Sequence, residues 1–294
     1  MTRKQASDYP PEVLSLFDGF VHGALSRRDF LDRLGKFAVG GVTAAAILAS
    51  LEPNFAWAEQ VAATDKRIKT ERIEYPSPQG SGPMRGYLAL PAKRRGKVPA
   101  VVVIHENRGL NPYIEDVARR LAVAGYLAFA PDALTPLGGY PGDEDKAREL
   151  FAKLDPDKRT ADLLAAADFV HARKDAGKLG AVGFCFGGGV CNVFAARLPY
   201  LKAAVPFYGT GVSAADAAAI KAPLLLHFAE TDDRVNGAWP DYKAALDASK
   251  VSYQAFTYPG TQHGFHNDTT PRYDEKAAVL AWSRTMAFFK KHLR

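Results

Sequence analysis

Residues 181–190 read AVGFCFGGGV, which places Cys185 between Gly183 and Gly187, after an apolar run and before a stretch of small residues. Where a strand turns sharply into a helix the backbone approaches itself closely, and small residues two before and two after the apex are what permit it. A thiol at that apex sits at a helix N-terminus, whose unpaired N–H groups and dipole favour the thiolate and lower a free pKa of about 8.5. A nucleophile of this kind needs a base and an acid to orient the base. ETDDRV (230–235) and PGTQHGF (259–265) supply them further along the chain. His263 is the candidate base towards Cys185 and then the acid towards the leaving group, with Asp232 holding its other ring nitrogen. Asp233 is the alternative acid, but its neighbour Arg234 suits it better to a surface ion pair.

A further candidate is the end of VVVIHENRGLN (101–111), where an apolar strand runs into His105-Glu106-Asn107-Arg108-Gly109. Backbone N–H groups there and just after the nucleophile are placed to hold an oxyanion, which assigns that role to Phe186 and Asn107. Other readings of these residues are weaker. His263 and His266 lack a third ligand at a recognisable spacing, so no metal is expected. GFCFGGG has no glycine at the third position of GxGxxG, so no dinucleotide is expected, and no other cofactor is implied. Cys191 reads as a small buried apolar residue that does not pair with Cys185.

These residues must be positioned by strand ends. Strands are expected at Ile68–Tyr75, Met84–Leu90, Ala100–Ile104, Tyr126–Ala130, Leu179–Phe184, Ala203–Tyr208, Pro223–Ala229 and Val251–Tyr258. Helices are expected at Pro112–Ala124, about 143–153, about 160–174, Gly187–Arg197, Gly237–Ser249 and Tyr273–His292. The first two strands form a hairpin across PSPQGSGP, and the later alternation of strand and helix implies an α/β fold with a mostly parallel central sheet and helices on both faces. Sites in such sheets lie beyond the carboxyl ends of the strands. The Gly/Pro content of LTPLGGYPGDED (134–145) would permit a lid there.

Nucleophile, acid and histidine follow the chain order of the α/β-hydrolase fold, and Gly-Phe-Cys-Phe-Gly-Gly (183–188), Glu106, the Asp232 turn and His263-Gly264-Phe265 together resemble the dienelactone hydrolase family over roughly residues 68–292. The resemblance implies hydrolysis of a small ester or lactone through a thioester on Cys185. It also implies that Glu106 holds the resting thiol and helps generate the thiolate. The family's dienelactone enzymes grip a substrate carboxylate with two arginines, yet PDALTPLGG (131–139) and HGFHNDT (263–269) contain none. Dienelactone itself is therefore not the expected substrate, and Arg108 is the candidate replacement cation. Competing classes are a thiol-redox protein, which would lack a CxxC motif, and a non-catalytic binding protein on the same scaffold.

The N-terminus reads as an address. Arg27-Arg28, an uncharged run of 15 residues from Phe37 to Leu51 and Ala56-Trp57-Ala58 follow one another as in a secretory signal of the twin-arginine type. The expectation is a signal over residues 1–58, cleaved after Ala58 and read by the twin-arginine export machinery, followed by one domain over residues 59–294. Its destination is the periplasm or beyond, with no permanent membrane anchor. Residues 1–58 hold six basic and six acidic residues, so the whole net charge of +6 falls on the rest. Its densest cluster, Lys93-Arg94-Arg95-Gly96-Lys97, reads as a solvated loop, and nucleic acid is not an expected partner.

Overall fold

The computed structural model describes residues 4–57 and 59–294. Eight strands form one sheet in the order β1-β2-β4-β3-β5-β6-β7-β8. They are β1 (Ile68–Ser77), β2 (Gly82–Pro91), β3 (Val98–Ile104), β4 (Leu127–Pro131), β5 (Ala176–Phe184), β6 (Ala203–Phe207), β7 (Leu224–Thr231) and β8 (Tyr253–Gln262). β1 and β2 pair antiparallel, as do β2 and β4, and all other pairings are parallel.

Side chains alternate across β3, and both faces are buried because helices cover both. Ala100, Val102 and Ile104 pack with Leu163 and Val170 of a helix at Pro156–His171 and with Phe194 of one at Phe186–Arg197. Val101 and Val103 face Ile114 and Leu121 of a helix at Pro112–Val123 and Phe289 of one at Glu275–Leu293. A continuous β-branched run is what such a doubly covered strand requires. The Lys93–Lys97 segment lies exposed between β2 and β3.

Element ends moved where local chemistry was stronger than periodicity. The helix expected from about residue 160 begins at Pro156, because the Asp155 carboxylate accepts from the N–H groups of Asp157 and Lys158 and proline suits the first turn. β8 continues to Gln262 and carries the chain directly to His263. A short alanine-rich helix, Ala214–Ala219, has no counterpart in the sequence reading.

The segment read as an export signal is folded as three helices: α1 (Pro11–Val21), α2 (Arg27–Leu34) and α3 (Ala44–Leu51). Arg27 and Arg28 open α2 behind the Ser26 cap, and the uncharged run is broken by Gly40 and Gly41, both at positive φ, before Thr43 caps α3. Val13, Phe17, Phe20, Phe30, Leu34 and Leu51 build a separate apolar core within it. Among the described residues no helix is long and apolar enough to cross a membrane. The expected cleavage position, Ala58, lies outside the described residues.

Candidate active site

Cys185 stands between β5 and the helix at Phe186–Arg197, with φ 55° and ψ −112°. Backbone in such a sparsely populated region costs about 1–3 kcal/mol and persists only where its surroundings enforce it. Here Cys185 N–H donates to Phe207 O at 3.0 Å, tying the apex to the end of β6. A Cβ on Gly183 would lie 2.1 Å from Gly187 O, and one on Gly187 would lie 2.3 Å from Ile104 O. Both glycines are therefore steric requirements of the turn.

Asp232 follows β7, and its Oδ2 lies 2.6 Å from Nδ1 of His263, which follows β8. Its Oδ1 accepts from Val235 N at 3.3 Å, so one carboxylate caps a short helix and orients an imidazole. Asp233 is exposed, whereas Asp232 is buried against His263, which separates the two candidate acids. His263 Nε2 is buried without a hydrogen-bond partner among the described residues. The Tyr208 ring packs on His263 at 5.0 Å between centroids.

A residue from the N-terminal segment completes the cluster. His22, at the C-cap of α1, places Nε2 3.4 Å from Cys185 Sγ, and its ring stands edge-on to His263 at 4.7 Å. Burial alone would push the Cys185 thiol up, but His263 and His22 outweigh it and hold the thiol well below its usual value. In turn, burial lowers His263, while the Cys185 charge and the Asp232 hydrogen bond raise it to about 10. Sulfur and nitrogen atoms of His22, Cys185 and His263 all lie within 4.8 Å of one another.

The remaining candidates sit around this centre. Phe186 begins the helix behind Cys185, which leaves its N–H at the helix N-terminus. Asn107 lines the cavity at Cys185, while its side chain donates to Val21 O at 2.8 Å. Glu106 Oε2 accepts from Asn267 Nδ2 at 2.9 Å, and burial, then the Cys185 charge, raise its pKa. Arg108 is buried 3.6 Å from Glu144 and donates to Asn107 Oδ1 at 2.7 Å. His266 belongs to the core, its Nδ1 2.7 Å from Tyr113 OH. Cys191 is buried, and both cysteines are free thiols.

Arg272 was not anticipated. It reaches the cavity at Cys185 from beyond the HGFHNDT segment and pairs with Asp18 of α1 at 3.4 Å. Neither it nor His22 carries a local motif, since each arrives through tertiary folding. Two spaces meet at Cys185. One is a small cavity of about 40 Å³ beside α1, bordered by Phe17, Glu106, Arg108 and Arg272. The other is a groove of about 540 Å³ bordered by Val21, His22, Phe151, Phe186, Val190 and Arg234. The 134–145 segment borders the site but is pinned by Asp132, whose carboxylate accepts from the N–H groups of Leu134 and Tyr140.

Comparison with known proteins decides the family, because residues 84–293 match the profile of the Dienelactone hydrolase family. The chain belongs to the dienelactone hydrolase family. It is thus a hydrolase of that family, with the α/β-hydrolase fold. A relative from Methylorubrum extorquens, described as "Putative carboxymethylenebutenolidase", is 32% identical over 267 residues, covering 84% of this chain and 91% of the relative. The Escherichia coli "Putative hydrolase fragment YghX" is 63% identical over 115 residues, or 39% of this chain and 98% of the fragment. Among solved structures, "Putative Dienelactone Hydrolase" from Klebsiella pneumoniae superposes with a TM-score of 0.67 at 30% identity, covering 76% of this chain and all of that one (100%). Outside the dienelactone hydrolase region, residues 1–39 match a separate profile described as YqhI-like.

Proposed function

We propose that this member of the family hydrolyses a small ester or lactone through a thioester on Cys185, with His263 as base and acid and Asp232 as its orienter. The observation that carries the reading is the strained, glycine-enforced apex at Cys185 beside a buried imidazole–carboxylate pair. The thiolate attacks the carbonyl carbon, forming the S–C bond while the carbonyl electron pair moves to oxygen. Phe186 and Asn107 N–H groups stabilise that oxyanion. Collapse breaks the C–O bond, and the departing alkoxide takes the proton from His263. Water then attacks the thioester, giving a proton to His263 as the S–C bond breaks and the thiolate returns. Glu106, raised by burial, is suited to a neutral carboxyl beside the thiol, which supports its role in holding the resting state.

Arg108 and Arg272 both face acidic groups, Glu144 and Asp18, so the cavity carries little net positive charge. The groove adds Arg148, Arg159 and Arg234 to its apolar walls, so a neutral or differently charged ester or lactone suits the site better than dienelactone itself. Turnover of a panel of activated esters and lactones by the full chain, beside Cys185→Ala, tests the reading. Loss of turnover in the variant is expected, and turnover surviving in Cys185→Ala would sink the thioester mechanism. Arg108→Ala should change the ratio of kcat/KM between anionic and neutral esters, and an unchanged ratio removes Arg108 from substrate recognition.

Location is a separate proposal. Arg27 and Arg28 ahead of the uncharged run support twin-arginine export, a route for proteins already folded. The separate core of residues 4–57 and its contacts at Cys185 support retention of the segment over cleavage after Ala58. Cell fractionation followed by intact mass reads both: a cytoplasmic protein would refute export, and a mass lacking residues 1–58 would refute retention.

A further inference from the structure

We propose that the N-terminal segment supplies a catalytic side chain, His22, whose Nε2–H hydrogen-bonds the Cys185 sulfur as a second imidazole beside His263. The proposal rests on Cys185 being the nucleophile. It explains why an imidazole from so distant a part of the sequence ends at the reactive atom.

The ring is built into place. Nδ1 of His22 lies 2.9 Å from Asp18 O and 3.2 Å from Asp18 Oδ1, an anchoring that turns Nε2 towards Sγ. Asp18 is itself fixed by Arg272 at 3.4 Å, so His22–Asp18 repeats the imidazole–carboxylate arrangement of His263–Asp232 from another direction. The segment docks on the rim of the site at independent points: Asn107 Nδ2 donates to Val21 O at 2.8 Å, Asn54 N–H donates to Thr269 O at 2.8 Å, and Arg27 pairs with Asp145 at 3.0 Å. The groove of about 540 Å³ still reaches Cys185 past His22. The segment is therefore a wall of the site that leaves the thiol accessible.

Charged groups facing His22 are Asp18 on its own helix, Cys185 at the elbow, His263 after β8 and Arg234 after β7, whose Nη2 lies 3.3 Å from Nε2. Arg234 is exposed and can donate to Nε2 only while the ring is neutral, so it yields when the ring is protonated. Protons then balance as follows: the thiol proton goes to His263 Nε2, while His22 enters the cycle already carrying its Nε2 proton, taken up in equilibrium with bulk solvent. On deacylation the S–C electron pair returns to sulfur, and the Nε2–H of His22 stabilises it there by a hydrogen bond. His22 lowers the energy of the thiolate both before attack and as a leaving group, and it stays protonated throughout.

The test uses the full chain and two readouts: iodoacetamide alkylation of Cys185 from about pH 4 to 9, and kcat on p-nitrophenyl acetate. His22→Ala should move the alkylation midpoint upward by about one pH unit and reduce kcat about tenfold, as expected for losing one hydrogen bond to a charged group. His22→Gln, which keeps an N–H donor, should recover part of kcat. An unchanged midpoint in folded His22→Ala, or a rise in kcat, overturns the proposal. If His22→Ala does not fold, Asp18→Asn takes its place, with the same upward shift expected and an unchanged midpoint overturning it. Turnover surviving in Cys185→Ala would instead overturn the nucleophile assignment, so the two failures are distinguishable.

Discussion

A thiol held well below its usual pKa beside an imidazole raised to about 10 gives a wide pH range in which the thiolate–imidazolium pair is populated. The acid limb of kcat/KM reports protonation of Cys185, so activity and alkylation should persist at pH values well below the ordinary thiol range. The alkaline limb reports loss of the His263 proton, which the leaving alkoxide needs, and should fall near pH 10. Asp232→Asn removes a charged acceptor 2.6 Å from Nδ1, so His263 binds its proton less tightly. Its alkaline limb should shift towards neutrality and kcat should fall by about 100-fold or more, whereas exposed Asp233→Asn should stay within about twofold of the wild type. Rate profiles of the two variants check this, and equal losses would reject Asp232 as the orienter.

The elbow is legible in sequence because its steric demand is local. Gly183 must lack a Cβ since that atom would overlap Gly187 O at 2.1 Å, and a backbone oxygen in a closed turn has nowhere to move. Gly183→Ala should therefore lower stability by about 3 kcal/mol, the upper part of the usual overpacking range, seen as a reduced Tm and slower alkylation of Cys185. An unchanged Tm would mean that the turn is looser than its contacts require. Strands were similarly legible where both faces are buried, as in Val101–Ile104, because the sheet demands an unbroken apolar run. Strand pairing explains why β8 outran its expected end: Thr231 of β7 still pairs with Gln262 beyond an irregularity after Ala229. His22, Arg272 and Asn267 were not legible, because nothing in their own neighbourhoods encodes the distant groups they meet.

At the scale of the whole molecule, the apolar residues of the N-terminus have two readings with similar composition. An uncharged run after paired arginines fits an export signal, and the same run, broken by glycines and capped by Thr43, fits a helix that closes a small core. A segment this short buries little area and is stabilised mainly by docking, so its core should respond more sharply than the main sheet does. Phe30 is fully buried and stacked at 4.7 Å on Phe20, which lies two residues before His22. Truncating such a side chain costs about 3–5 kcal/mol, enough to open the segment locally while the eight-stranded sheet stays folded. Phe30→Ala should accelerate amide hydrogen exchange across α1–α3 and leave β3 and β5 protected. If the segment serves the site through His22, the same variant lowers kcat and raises the Cys185 alkylation midpoint in parallel with His22→Ala. Opening without any change in kcat would mean that the segment covers the site and takes no part in its chemistry.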